Sequence, residues 1–159
     1  MSSVAPEEAQ RTLPLLPIRD VHAGIALSFE RTRNTLPGEP SIKDLMWVGE
    51  CRRISGAELQ RWGLAEHVDT VLLLLSELVT NAIQHGSGHQ IDVRLSRTSS
   101  HVRIEVRGGT TDLLTVHVPS LLDEHGRGLL LVDMIANAWG VDPSSWVWCT
   151  IDTAQGEKN

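Results

Sequence analysis

A chain of 159 residues with ordinary hydrophobic and charged fractions is most simply one domain, long enough to bury a core without staples. Its formal net charge of -6, with scattered arginines, argues against a nucleic-acid surface, which recruits basic patches. Cys51 and Cys149 form neither a CxxC nor a Cys/His spacing, the N-terminus lacks a basic-then-apolar leader, and the apolar run from Val71 to Leu75 stops at Ser76 and Glu77; the expectation is a soluble, cytoplasmic protein with reduced thiols.

Residues 1–24, with three prolines and no period, are expected to be a flexible lead-in, 25–153 the single domain and 154–159 a tail. A first strand is expected from Ile25 to Leu36, where Ile25, Leu27 and Phe29 alternate with small or polar residues, followed by a turn at Pro37-Gly38-Glu39-Pro40. Ser41 with Asp44 three residues later reads as a helix start, and Gly63 stops that helix after Trp62. The clearest helix spans Ala65 to His85. Val68, Val71, Leu72, Leu75, Leu78, Val79 and Ala82 fall on one side at the 3.6-residue period; Thr70, Glu77, Asn81, Gln84 and His85, with Leu74 among them, fall on the other. Gly86-Ser87-Gly88 ends it.

Gln90–Arg97 and His101–Arg107 each alternate apolar with polar residues and form a hairpin through Thr98-Ser99-Ser100. Gly108 to Glu124 lacks a period and reads as a long, lid-like loop. A third helix is expected from Gly128 to Ala138, ending near Gly140, and a last strand from Ser145 to Thr153. The order indicates an α+β fold, a two-layer sandwich with a mostly antiparallel sheet and helices on one face.

Glu77 and Asn81 lie four apart, so they stack on one helical face, one turn apart. Asn is disfavoured inside a helix and needs a reason there, although an exposed Glu is usually solvated surface. A carboxylate that accepts a proton and an amide oxygen that ligates a metal-bound phosphate would supply one. Gly126-Arg127-Gly128 before an apolar helix offers the second half of such a site: glycines admit a close anion, and the helix start supplies unpaired N–H groups. A lone GxG is usually only a turn; the pair of motifs says more than either. The five tryptophans read as core or interface, and His85, His89 and His101 make no metal spacing.

Ser76-Glu77-Leu78-Val79-Thr80-Asn81-Ala82 resembles the N-box of the GHKL ATPase superfamily, and His125-Gly126-Arg127-Gly128-Leu129 resembles its second glycine box. Arg33 through Pro40, Trp62-Gly63-Leu64 and Trp139-Gly140-Val141 resemble the stand-alone anti-sigma-factor serine/threonine kinases of actinobacteria, over about residues 26–152. The resemblance implies a Bergerat-type, histidine-kinase-like ATPase fold that binds ATP and Mg²⁺. Glu77 would be the general base and Asn81 the metal ligand. His85, Gly86, Gly108, Thr110, Gly126, Arg127, Gly128 and Leu129 would line the nucleotide site, with the Gly108–Glu124 loop as lid. It further implies a cytoplasmic regulator that sequesters a sigma factor, phosphorylates a Ser or Thr of an antagonist protein, and is able to form a homodimer.

The sequence departs from that pattern at the first glycine box. Relatives follow the strand with an Asp that accepts from the adenine amine; here Gly108 stands in its place. Losing one buried acceptor costs about 1–3 kcal/mol, roughly ten- to a hundred-fold in affinity. The alternative is therefore a nucleotide-independent protein-binding module on the same fold. A sensor histidine kinase fits less well, since no transmembrane segment or dimerisation helix with an acceptor His is visible.

Overall fold

The computed structural model describes residues 21–32, 41–109 and 127–154. Strands Ala23–Glu30 (β1), Gln90–Arg97 (β2), His101–Arg107 (β3), Ala138–Val141 (β4) and Val147–Asp152 (β5) form one sheet in the order β1-β2-β3-β5-β4. Every neighbouring pair is antiparallel. Three α-helices, Ile42–Arg61 (α1), Val68–His85 (α2) and Arg127–Ile135 (α3), and a 3-10 turn at Ala65–His67 complete the described elements.

The register explains the layering. Ile104 faces Leu95 on one side and Cys149 on the other, so the inward residues of three strands line up as a single apolar band. Val71, Leu74, Leu75, Leu78, Val79 and Ala82 of α2 pack into the same core. Each such leucine or valine contributes about 1.5–3 kcal/mol by leaving water, which is why α2 lies under the middle of the sheet.

Local chemistry sets the helix ends. The Ser41 hydroxyl accepts the Asp44 N–H at 3.0 Å and caps α1. The Asp44 carboxylate, fully buried, accepts the Thr32 N–H at 3.0 Å and so ties the exit of β1 to the first turn of α1. Gly63, at φ +78, takes the left-handed turn after that helix. Arg52 binds α1 to α2 by donating to the Leu72 carbonyl at 3.0 Å and the Ser76 hydroxyl at 2.6 Å.

The hairpin strands coincide with the alternation read from the sequence, the first helix starts and stops where its caps indicate, and the second ends at His85 as expected but begins at Val68, because Ala65–His67 is a 3-10 turn. Other boundaries move. β1 ends at Glu30, and the Pro37–Pro40 turn lies outside the described residues, as does the loop from residue 110 to 126. The third helix ends at Ile135 rather than Ala138, and a fourth strand follows that the sequence reading missed. Asn137 makes the change: its N–H donates to the Thr150 carbonyl and its side-chain oxygen accepts the Asp152 N–H, pulling the chain off the helix and onto the sheet edge. Trp139 Nε1 then donates to Asp133 of α3 at 2.8 Å. Four residues are too few for a period-two signal to show.

The outward face of the sheet is drier than alternation implied. Trp148 is almost fully buried there, its ring so close over Gly140 that a Cβ would stand 3.0 Å from it. The Arg103 guanidinium lies 4.5 Å from the Trp148 ring centroid, while Arg94 and Arg107 lie 4.1 and 4.6 Å from that of Trp146. Trp146 and Trp148 thus serve the packing of this face.

Cys51 and Cys149 are both buried and free. Burial pushes their thiols up to about 11 and about 12 respectively. Thiolate is the reactive form, so neither cysteine should label with a thiol reagent at pH 8 until the protein is denatured. A mass shift in the native protein would show a core that opens.

Candidate functional site

The residues singled out by sequence gather along the C-terminal half of α2 and the end of β3. Leu74, Leu78 and Ala82 hold α2 against the core, which fixes its rotation and hence where Glu77 and Asn81 point. Glu77 is half-buried. Burial holds its carboxyl above the usual carboxylate range. That is the shift a proton acceptor needs if it is to work near neutral pH.

Asn81 corrects the sequence reading. The periodicity puts it on the polar side of the helix; the structure buries it to 6 % exposure, and Leu74 of the same side is wholly in the core. The apolar sector of α2 is wider than the 3.6-residue period alone implies; α3 packs against α2, and its Leu129 and Val132 join the same core. Among the described residues the Asn81 Nδ2 finds no hydrogen-bond partner. A buried amide left unpaired costs about 1–3 kcal/mol.

At the end of α2, His85 is the last helical residue and Gly86 is the C-cap, donating its N–H to the Ala82 carbonyl at 2.8 Å. Gly86 is buried against the end of β3. A Cβ on it would stand 2.2 Å from the Gly108 carbonyl oxygen and 2.4 Å from that of Ala82. Gly88 donates its N–H to the Gly108 carbonyl at 2.9 Å. Gly109, at φ +100, has its Cβ position only 2.2 Å from the Gly88 nitrogen. Gly86, Gly88, Gly108 and Gly109 thus form a seam where two backbones meet with no room for side chains. Gly88 and Gly109 were not singled out as functional; two glycine pairs bracketing the hairpin were the signal.

Gly108 bears directly on the adenine question. It lacks an acceptor, and its Cβ position lies 2.9 Å from both the Cβ and the carbonyl oxygen of Ala82 and 3.2 Å from Ile91 Cδ1. The space where a side chain would start is filled. The nearest described acidic residue on the neighbouring strand, Asp92, is already engaged by Ser28 at 2.7 Å, Gln90 at 2.8 Å and Arg107 at 3.0 Å, on the other face of the sheet.

Of the remaining predicted site residues, Thr110 and Gly126 lie outside the described residues. Arg127 and Gly128 open α3, and Leu129 is buried in the core. Glu77 and Asn81 offer a carboxylate and a carboxamide on one helix, donor types that suit a metal-bound polyphosphate. The adenine end does not offer the expected acceptor. Among the described residues no group of three His, Cys, Asp or Glu could hold a metal alone, and no helix is long and apolar enough to cross a membrane.

A comparison with protein-family models matches residues 43–148 to the histidine kinase-like ATPase domain. The match begins in the first turn of α1 and ends inside β5, so it takes in Glu77, Asn81, the glycine seam and α3. A search of curated proteins returns no match.

Proposed function

Because the chain belongs to the histidine kinase-like ATPase family, we propose that it binds ATP with Mg²⁺ and works as a switch of the anti-sigma-factor type. In this reading it sequesters a sigma factor and phosphorylates a Ser or Thr on an antagonist protein. The observation that carries the nucleotide part is Asn81, buried one turn after a carboxyl whose pKa burial has raised, with an Nδ2 that has no partner among the described residues. The regulatory part rests on the resemblance of the motifs to the stand-alone kinases.

Each residue has a task in that reading. Asn81 would supply its amide oxygen to a cation that one carboxamide is too poor a ligand to hold without phosphate oxygens. Bound Mg²⁺ would neutralise charge on the phosphates being transferred. Glu77 takes the proton of the attacking hydroxyl, and its half-buried position keeps that proton from water. The start of α3 adds backbone N–H groups and a favourable dipole at its N-terminal end. Mixing the protein with its antagonist and labelled ATP tests the assignment; absence of phosphate incorporation by the wild-type protein would sink it.

A second reading has its own observation. Gly108 lacks an acceptor and the space to install one, which favours a nucleotide-independent binding module. Calorimetric titration with ATP·Mg²⁺ and ADP·Mg²⁺ separates the two, since only the first reading predicts heat. Gly108→Asp does not rescue binding in either case, because its Cβ meets Ala82. That variant is expected to lose stability with no gain in ATP affinity. Tighter ATP binding by a well-folded Gly108→Asp protein would show that the seam opens readily and that one position had silenced the site.

A further inference from the structure

Strand β1 ends the sheet on one side. The Arg31 N–H donates to the His89 carbonyl at 2.6 Å, which makes these two a hydrogen-bonded antiparallel pair. Counting back by twos along the register, Phe29, Leu27 and Ile25 turn their backbone N–H and C=O groups to β2. Glu30, Ser28, Ala26 and Gly24 turn theirs away from the sheet, and all four residues are exposed. Among the described residues no backbone group pairs with them. Folded proteins shield such an edge with lysine, with proline or by keeping the strand short. β1 is eight residues long and has neither lysine nor proline, and Gly24, Ala26 and Ser28 leave its backbone uncovered.

Two side-chain features continue this edge. Ile25 and Leu27 point to the helix layer yet are only half-buried, whereas Ile91, Val93 and Leu95, their partners on β2, are sealed. At the far end of the strand opens a cavity of about 390 Å³, walled by Ser28, Phe29, Glu30 and Gln90 and by Lys43 and Trp47 of α1. The Phe29 and Trp47 rings stack there, their centroids 5.3 Å apart. Lys43 and Glu30 put opposite charges on opposite walls, and among the described residues neither makes an ion pair.

We propose that β1 receives an extended segment of a different protein as a sixth strand. Four residues present donors and acceptors in a row at two-residue spacing, about 6.8 Å. An extended main chain carries matching groups at that repeat; a helix has already spent its own. Side chains of the incoming strand alternate between the two faces. Those on the helix side would complete the burial of Ile25 and Leu27, and one would enter the cavity against Phe29 and Trp47. The segment is therefore apolar at every second position and free of proline there. Charge narrows it further: an acidic residue on the helix side meets Lys43, and a basic one on the outer side meets Glu30. The inference does not depend on nucleotide binding.

Selection of displayed random dodecapeptides against the full chain, followed by synthesis of the selected peptide as the probe, tests it. The selected sequences should show the alternation and the acidic residue. Amide hydrogen exchange locates the contact. In the free protein Gly24, Ala26, Ser28 and Glu30 should exchange fast while Ile25, Leu27 and Phe29 are protected; saturating peptide should slow the first four roughly tenfold or more. Methylating the peptide nitrogens that face β1 should weaken binding roughly tenfold or more, and methylating the intervening ones should leave it nearly unchanged. Lys43→Glu, on an exposed position, should weaken binding roughly fivefold, and exchanging the peptide's acidic residue for lysine should restore it. Failure to select a peptide, protection of other amides instead, or indifference to the position of methylation overturns the proposal. So does slow exchange of the four amides without peptide: independent of protein concentration, it means that the chain covers its own edge, and rising with concentration, that a second copy does.

Discussion

Glu77→Gln should abolish phosphoryl transfer while leaving the protein folded and its partner bound. A positioned general base contributes about 10²–10⁴-fold, and glutamine keeps the shape of the side chain without the ability to take a proton. The pH behaviour discriminates further. Burial raises the Glu77 carboxyl, so the wild-type rate should climb through an apparent pKa above the ordinary glutamate value, and the variant should lose that limb. Stability moves the other way. A raised folded-state pKa means the folded protein binds this proton more tightly than the unfolded chain. The resulting stabilisation is complete below the unfolded pKa and is lost as pH rises through the folded one. At neutral pH the ionised carboxylate is therefore a cost, and Glu77→Gln should melt higher than wild type there, with the gap closing at acid pH. A variant that melts lower at pH 7 would show that Glu77 is held by a partner that favours its charge. A variant that still incorporates phosphate at the wild-type rate would remove Glu77 from the mechanism.

How far the sequence carried this reading follows from the range of each signal. The β2–β3 hairpin was legible to the residue because each strand alternates over seven or eight positions and one face is buried. The first two helices were legible because Ser41, Gly63 and Gly86 are caps whose chemistry is local. β4 was not legible: it exists because Asn137 reaches Thr150 and Asp152, contacts that no short window around Ala138 contains. The burial of Asn81 escaped for the same reason. A helical wheel of α2 shows which residues share a face, and it does not show that the tertiary fold, with α3 packed back against α2, buries Leu74 and Asn81 as well. The Glu77/Asn81 spacing itself was read correctly because it lies within one turn. The loss of an acceptor at Gly108 was also plain in the sequence; that the vacancy is closed by Ala82 required the register of β3 against α2.

Gly86→Ala should be among the most destabilising single substitutions in the protein. Its backbone angles are ordinary, φ -73 and ψ 146, so the penalty is not conformational. It is contact: the new methyl would stand 2.2 Å from the Gly108 oxygen and 2.4 Å from the Ala82 oxygen. Neither oxygen is free to retreat, since the first accepts the Gly88 N–H at 2.9 Å and the second accepts the Gly86 N–H at 2.8 Å. Relief requires α2 to part from β3 and the two hydrogen bonds to lengthen together, at an expected cost of about 3 kcal/mol or more against a total stability of about 5–15. Denaturant melts of Gly86→Ala beside Gly49→Ala, whose methyl enters open space and should stabilise by up to about 1 kcal/mol, hold the chemistry constant and vary only the surroundings. The consequence reaches the candidate site, because Asn81 lies on the same helix little more than one turn before the seam. If Gly86→Ala melts with the wild type, the seam yields easily, and the closed space at Gly108 then no longer stands in the way of an adenine acceptor.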